Sequence, residues 1–201
     1  MLTHTYRSRP AGLDRLAYCD TSFILDLFAH ANPSALGSAS AAAKARTADA
    51  HGFYIWARLQ GIQFYVSVFA IEEVYHKLLF LPINSYIRSN AGYSSWKRLR
   101  AQDPTTFNAL ITIGRSAIGS FQNYVRGSGL ALITVGAGPF SGIWLREARL
   151  CRYARALLAL YDAEAMDAFH YALMRRCGIT LAVSSDRDWT AFPHGTLITA
   201  P

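Results

Sequence analysis

The chain has 201 residues, with 20 Lys and Arg side chains against 13 Asp and Glu, and a formal net charge of +7. Its composition, 52% hydrophobic and 16% charged, excludes a wholly disordered protein, because disordered chains lack the apolar side chains that drive collapse. The longest apolar run, residues 64–71, is far shorter than the ~20 residues that cross a bilayer, so no membrane span is predicted. The excess of positive charge favours a polyanionic partner such as nucleic acid.

The predicted elements alternate between strands and helices. After a flexible basic lead-in at 1–10, they are, in chain order, a strand at 16–19, a helix that begins after Asp20, a helix at 41–60, a strand at 62–68, a helix that stops before Pro82, a helix at 105–125, a strand at 130–135, helices at 143–160 and 163–177, and strands at 179–183 and 196–199. Residues 84–104 have mixed composition and are expected to form a loop. The alternation favours an α/β fold with a mainly parallel central sheet.

We expect a single cytoplasmic domain spanning residues 1–201. The polar, basic start of the chain does not resemble a signal peptide. Cys19, Cys151 and Cys177 are scattered singly, in neither a disulfide framework nor a zinc-binding pattern, which favours a reducing cytosol. No internal repeat or break in composition marks a second domain.

Acidic residues follow several of the predicted strands. Asp20 ends the first strand, Glu73 lies just beyond the second, and Asp186 follows the strand at 179–183 by three residues. Ligands of open parallel sheets bind outside the carboxyl ends of the strands, so these acids are expected to converge at one edge. Asp167 lies in the predicted helix at 163–177, which precedes the strand at 179–183, and can reach the same edge of the sheet. Oxygen-only ligation of this kind suits Mg²⁺ or Mn²⁺, which activate water for attack on a phosphodiester.

Each of these acids also has a purely structural interpretation. Aspartates at strand ends are common helix caps, and Glu72 competes with the adjacent Glu73 for the site. Thr21 and Ser22 are candidates for holding a metal-bound water or a scissile phosphate, or they are ordinary hydroxyls at a helix start. For His170, a hydrogen-bonded packing role is preferred to a chemical one.

A stripe of arginines supplies candidate substrate contacts. Arg146, Arg149 and Arg152 recur every three residues and, with Arg155, slant across one predicted helix. The stripe is either a solvated helix face or a track for phosphates. Further basic candidates for such a track are Lys97, Arg98, Arg100, Arg175 and Arg176.

Four short blocks occur in a fixed order along the chain: YCDTSFIL at 18–25, SVFAIEEV at 67–74, DAFHYA at 167–172 and VSSDRDW at 183–189. Together they resemble the motifs of PIN-domain nucleases, with Trp189 where the family has Phe. The nearest subgroup is the VapC-type toxins of bacterial toxin–antitoxin systems. The resemblance covers roughly a third of the chain, which is longer than a minimal toxin at 32–60 and 81–160.

The resemblance implies a three-layer α/β/α sandwich and Mg²⁺- or Mn²⁺-dependent hydrolysis of RNA. It assigns the catalytic and metal-binding roles to Asp20, Glu73, Asp167 and Asp186, with Asp188 as an auxiliary metal ligand. It also implies RNA as a partner, a cognate antitoxin protein and a homodimer, although no coiled-coil pattern in the sequence supports dimerisation.

Two other functions compete with this hypothesis. One is a non-catalytic PIN-like module that binds RNA or protein, which the intact acidic set disfavours. The other is a phosphatase of the haloacid dehalogenase type with Asp20 as its covalent nucleophile. Such enzymes have a second Asp two residues further on, where this chain has Ser22.

Overall fold

The computed structural model describes residues 2–36, 40–133, 138–140, 147–161, 164–193 and 195–201. The strands of this part of the chain are β1 (Leu2–Thr5), β2 (Leu16–Cys19), β3 (Gln63–Val66), β4 (Ala131–Leu132), β5 (Leu181–Ser184) and β6 (Thr196–Thr199). Its α-helices are α1 (Thr21–Ala31), α2 (Ala41–Leu59), α3 (Val68–Ser89), α4 (Trp96–Gln102), α5 (Pro104–Ser128), α6 (Glu147–Tyr161) and α7 (Ala165–Arg176). The predicted α/β class is confirmed.

The six strands form one parallel sheet in the order β1-β6-β5-β2-β3-β4. β2 lies between β5 and β3, with Tyr18 opposite Ala182 on one side and opposite Tyr65 on the other. Since β2, β3 and β5 run in the same direction, their carboxyl ends meet at one edge of the sheet. The acids that follow these strands are therefore delivered to a shared region.

Helices cover both faces of the sheet, which gives the three layers expected. Side chains of a strand alternate between faces. Ala17 and Cys19 accordingly pack with α1, α2, α3 and α5, whereas Tyr18 packs on the other face with α6 and α7. The longer regions at 32–60 and 81–160 supply α2, the second half of α3, α4 and α5, and so build much of the first layer.

Residues 2–5 form a strand, so the expectation of a flexible lead-in was wrong for them. β1 extends the sheet by pairing with β6. Tyr6, which follows directly, is fully buried, and its ring centroid lies 5.5 Å from that of Phe23. The segment is ordered by a distant strand and by the core, neither of which its local composition reveals.

The helix after β3 does not stop before Pro82, as the sequence suggested, but runs through it to Ser89. Pro82 removes one backbone hydrogen bond and normally kinks or ends a helix. Here Ile83 is fully buried in a satellite cluster with Leu99 and Phe107, from α4 and α5. This tertiary packing holds the second half of α3 in place, and it also orders part of the region predicted to be a loop.

Neither a disulfide nor a bilayer-spanning helix is found in the described part of the fold. Cys19 and Cys177 are buried and Cys151 is exposed, and all three are free thiols. In the described ranges, no helix combines the length and apolarity that crossing a membrane requires.

Gly114→Ala is expected to destabilise the protein by roughly 1–3 kcal/mol, because α5 crosses α3 most closely at this glycine. A Cβ atom there would lie 2.5 Å from the carbonyl oxygen of Leu79 and 2.8 Å from its Cα, both rigid backbone atoms. Gly119→Ala, on the same helix with no atom within 4 Å of the added Cβ, is the matched control. The control should be neutral or up to about 1 kcal/mol more stable in urea unfolding. Equal effects of the two substitutions would contradict the close approach.

Candidate active site

Asp20 lies at the carboxyl end of β2, where it caps α1. Its backbone N–H donates to the carbonyl of Val183 at 3.0 Å, which ties it to β5. Its side chain is 4% exposed, and Oδ2 accepts hydrogen bonds from Ser22 Oγ and Ser184 Oγ, both at 2.8 Å. Within the described residues Oδ1 accepts no hydrogen bond. One oxygen is thus anchored by two hydroxyls while the other is left to bind a ligand.

Glu73 is held beside Asp20 by the intervening Thr21. Thr21 Oγ1 donates to Glu73 Oε2 at 2.8 Å, and Lys77 Nζ lies 2.7 Å from Oε1. His170 Nε2 lies 3.3 Å from Oε2. The His170 contact, followed by Lys77 and Thr21, lowers the pKa of Glu73 to about 2 against the opposing effect of burial, so the side chain is a carboxylate at neutral pH. Glu72 is exposed, and the structure therefore favours Glu73.

His170 is fully buried and connects Glu73 to the hydroxyl groups of Tyr18 and Ser67 in the protein interior. Nδ1 lies 2.6 Å from the hydroxyl of Tyr18, which donates to Ser67 Oγ at 2.9 Å. Because the Glu73 carboxylate can only accept, Nε2 must carry the hydrogen of the contact between them. His170 thus orients Glu73 from below, in agreement with the packing role expected from the sequence.

Asp167 is influenced by the charges of two other aspartates. It lies in the first turn of α7 and is half-buried. Burial is the largest cause that raises its pKa, to about 7, and the negative charges of Asp20 and Asp186 add to the effect. The charges of aspartates that are far apart in sequence therefore act on Asp167 in the folded chain.

Asp186 is exposed at the start of the 3-10 turn Arg187–Ala191. Its backbone N–H donates to Ser184 Oγ at 2.9 Å, so the serine that anchors Asp20 also positions Asp186. Asp188 is exposed, and it donates its backbone N–H to Asp186 Oδ1 at 3.0 Å. Asp188 thus contacts Asp186 through its backbone N–H, and the role of its carboxylate as an auxiliary metal ligand stays a prediction.

One member of the predicted arginine stripe, Arg149, lies away from Asp167. Arg149 lines a separate cavity of about 300 Å³ with Tyr153, Arg175 and Arg176. That cavity is at the carboxyl end of α7, whereas Asp167 is at the amino end, about 12 Å away at 1.5 Å per residue. Arg152 is exposed on α6. Arg146, the remaining predicted substrate contact, falls outside the described residues.

The donor set fits a hard divalent cation. The candidate ligands are carboxylate oxygens, which Mg²⁺ and Mn²⁺ prefer, and the repulsion that raises the pKa of Asp167 is the kind that a bound cation relieves. In the described ranges, His, Cys, Asp and Glu side chains nowhere form a ready-made metal cluster of three or more. The fit is therefore one of donor chemistry and charge.

Three contributors to this site were not predicted from the sequence. Ser184 binds both Asp20 and Asp186, and its position at the end of β5 parallels that of Asp20 after β2. Lys77 follows Glu73 by four residues, a spacing that brings helical side chains together and was an available signal. Tyr18 reaches His170 across 152 residues, for which no local signal exists.

Comparison with known families and with curated proteins finds no match: no family model fits this chain, and no curated protein matches it. The resemblance to PIN-domain nucleases accordingly rests on the order of the four sequence blocks.

Asp167→Asn is expected to stabilise the metal-free protein increasingly as the pH rises. The folded protein retains a proton on Asp167 up to about pH 7, whereas the unfolded chain releases it near 3.8, so the wild type loses stability across this interval. Asn cannot ionise and escapes that loss. Melting temperatures in EDTA should therefore agree near pH 4 and differ by several degrees near pH 8. The exposed Asp14→Asn is the control, and a pH-independent difference would contradict the assignment.

Proposed function

We propose that the protein is a Mg²⁺- or Mn²⁺-dependent ribonuclease of the PIN class. The proposal is supported chiefly by the placement of Asp20 and Asp186, which follow the neighbouring parallel strands β2 and β5 and are joined by Ser184, whose hydroxyl donates to the Asp20 carboxylate and accepts from the Asp186 backbone N–H. The raised pKa of Asp167, caused first by burial and then by the charges of Asp20 and Asp186, agrees with this placement. Like charges that raise one another's pKa are destabilising unless a cation compensates them, and a purely structural role for these acids supplies no such compensation.

The residues at this edge of the sheet have different proposed roles in binding the metal and orienting the water. A divalent ion held by the aspartate oxygens supplies an activated water and stabilises charge on a phosphodiester. Asp20 presents Oδ1 while Ser22 and Ser184 hold Oδ2, so its orientation is set before any ligand binds. Glu73 is ionised and held from three sides, which suits it to orient a water or to complete the ligand set.

The charge balance supports a polyanionic substrate. Four of the 13 acidic side chains are committed to the cleft, so the remainder of the chain is more basic than the net charge of +7 suggests. A basic surface around a cleft neutralised by divalent metal attracts nucleic acid and leaves the cleft accessible to a phosphodiester.

We further propose that the enzyme is the cytoplasmic toxin of a toxin–antitoxin pair, as the nearest subgroup suggests. A small open reading frame with a DNA-binding motif beside the gene would support this role. Its absence would favour a stand-alone nuclease.

The direct test is incubation of the purified protein with end-labelled RNA in Mn²⁺, in Mg²⁺ and in EDTA. We expect cleavage products in at least one divalent metal and none in EDTA. Equal cleavage in EDTA would contradict the proposal. Tight RNA binding without cleavage in any metal would instead support the non-catalytic module.

A further inference from the structure

A groove of about 1520 Å³ lies on the helical layer that contains α1 to α5. One wall is formed by α1 and α2, including Asp26, Lys44 and Arg46. The other wall is formed by α3 and the start of α4, from Lys77 to Trp96. We call it the α2–α3 groove.

The α2–α3 groove begins next to the carboxylate cleft. Lys77 lines the groove and also binds Glu73 Oε1 at 2.7 Å. On the opposite wall, Asp26 accepts a hydrogen bond from Ser185, whose backbone N–H donates to Ser22 Oγ at 2.8 Å. A ligand in the groove would therefore reach the cleft between these two contacts.

Basic side chains line the groove on both walls. They are Lys44, Arg46, Lys77 and Arg88. Among the described lining residues the acidic one is Asp26, which is 3% exposed and already bound to Arg46 at 2.9–3.1 Å. Lys44 and Arg88 are exposed and have no ion pair within the described residues. From Lys77 to Arg88 the positive charge extends about 16 Å along α3, so the groove matches an extended anion rather than a single ion.

Aromatic rings follow the same wall. The ring centroid of Phe80 lies 4.9 Å from that of His76 and 5.8 Å from that of Trp96. All three line the groove; His76 is exposed, whereas Phe80 and Trp96 are half-buried and pack against the satellite cluster on one side. Rings beside a basic track are the combination that binds single-stranded nucleic acid, because unpaired bases offer faces for stacking and phosphates meet the cations.

We propose that the α2–α3 groove binds single-stranded RNA and leads the strand into the carboxylate cleft. Lys44, Arg46 and Arg88 contact phosphates, and Phe80 and Trp96 stack with bases. The inference depends on the proposed function, since it names the strand that the ribonuclease takes. An acidic peptide would satisfy the charges, but the aromatic row and the continuity with a phosphodiester-cleaving site favour RNA.

The test measures binding of a short fluorescein-labelled single-stranded RNA in EDTA by anisotropy, so that no cleavage intervenes. Lys44→Ala/Arg88→Ala removes two exposed charges from the groove. The matched control, Arg115→Ala/Arg126→Ala, removes two exposed charges from α5 outside it. We expect the groove variant to lose affinity by about tenfold or more. The slope of log K against log salt concentration should also become shallower by about 0.7 for each phosphate that the variant no longer neutralises. The control should bind like the wild type.

Two results would overturn the inference. One is equal affinity of the groove variant and the wild type for the RNA, which would favour a peptide as the ligand of the groove. The other is an equal loss in both variants, which would show a general effect of charge. If the wild type cleaves RNA and the groove variant binds and cleaves RNA equally well, the groove proposal is wrong and the proposed function stands. If the wild type cleaves no RNA in any metal, the proposed function is wrong.

Discussion

Asp20→Asn is expected to reduce metal-dependent RNA cleavage by at least about a hundredfold. The substitution keeps the shape of the side chain, and the hydroxyls of Ser22 and Ser184 can rotate to suit an amide. It removes the negative charge that the proposed metal needs and that now contributes to the raised pKa of Asp167. Cleavage should therefore fall while the protein stays folded.

The matched control for Asp20→Asn is Asp14→Asn, an exposed residue in the segment before β2. It should cleave RNA at the wild-type rate. A second readout comes from Asp167, because loss of a neighbouring charge lowers its pKa and moves the pH dependence of metal-free stability to lower pH. Wild-type cleavage by Asp20→Asn would refute the assigned role, whatever the effect on stability.

His170→Ala is expected to destabilise the protein by about 2–4 kcal/mol and also to lower cleavage. The ring is fully buried, so its removal leaves a cavity and takes a hydrogen-bond partner from both Tyr18 and Glu73. Urea unfolding measures the first effect. The exposed His76→Ala is the control for stability and should change it little.

The effect of His170 on Glu73 can be separated from its effect on packing. The ionised Glu73 contributes stability that is present above pH 4.5 and is lost as the pH falls toward about 2, and the His170 contact is the largest cause of this shift. In His170→Ala, the decrease in the free energy of unfolding between pH 4.5 and about 2 should be smaller than in the wild type. A variant with the wild-type acid dependence would show that His170 is only a packing residue.

The carboxylate end of the site was predictable because its signals are local. Asp20 follows a short buried run and begins a helix, and Asp186 follows another such run. Parallel strands place such positions at one edge, whatever the rest of the chain does. The choice of Glu73 over Glu72 came from the resemblance, and in the structure Glu73 is half-buried whereas Glu72 is exposed.

Other features of the fold and of the candidate site depend on contacts between residues that are distant in sequence. Pro82 is a helix terminator by local rules, yet Ile83 is buried against α4 and α5 and the helix continues. The support that Tyr18 gives to His170 and the α2–α3 groove both arise when separate elements pack. The regular spacing of the arginine stripe does not reveal where its members lie in the fold, and Arg149 lines a separate cavity at the carboxyl end of α7. The role of the stripe in binding substrate stays a prediction.

Calorimetric titration of Mn²⁺ without RNA shows whether these carboxylates hold a divalent metal. We predict binding to the wild type and to Asp14→Asn, with affinity at least about tenfold weaker in Asp20→Asn. Affinity for the wild type should also rise with pH through about 7, as Asp167 loses its proton. Indistinguishable isotherms for the wild type and Asp20→Asn would contradict the metal site.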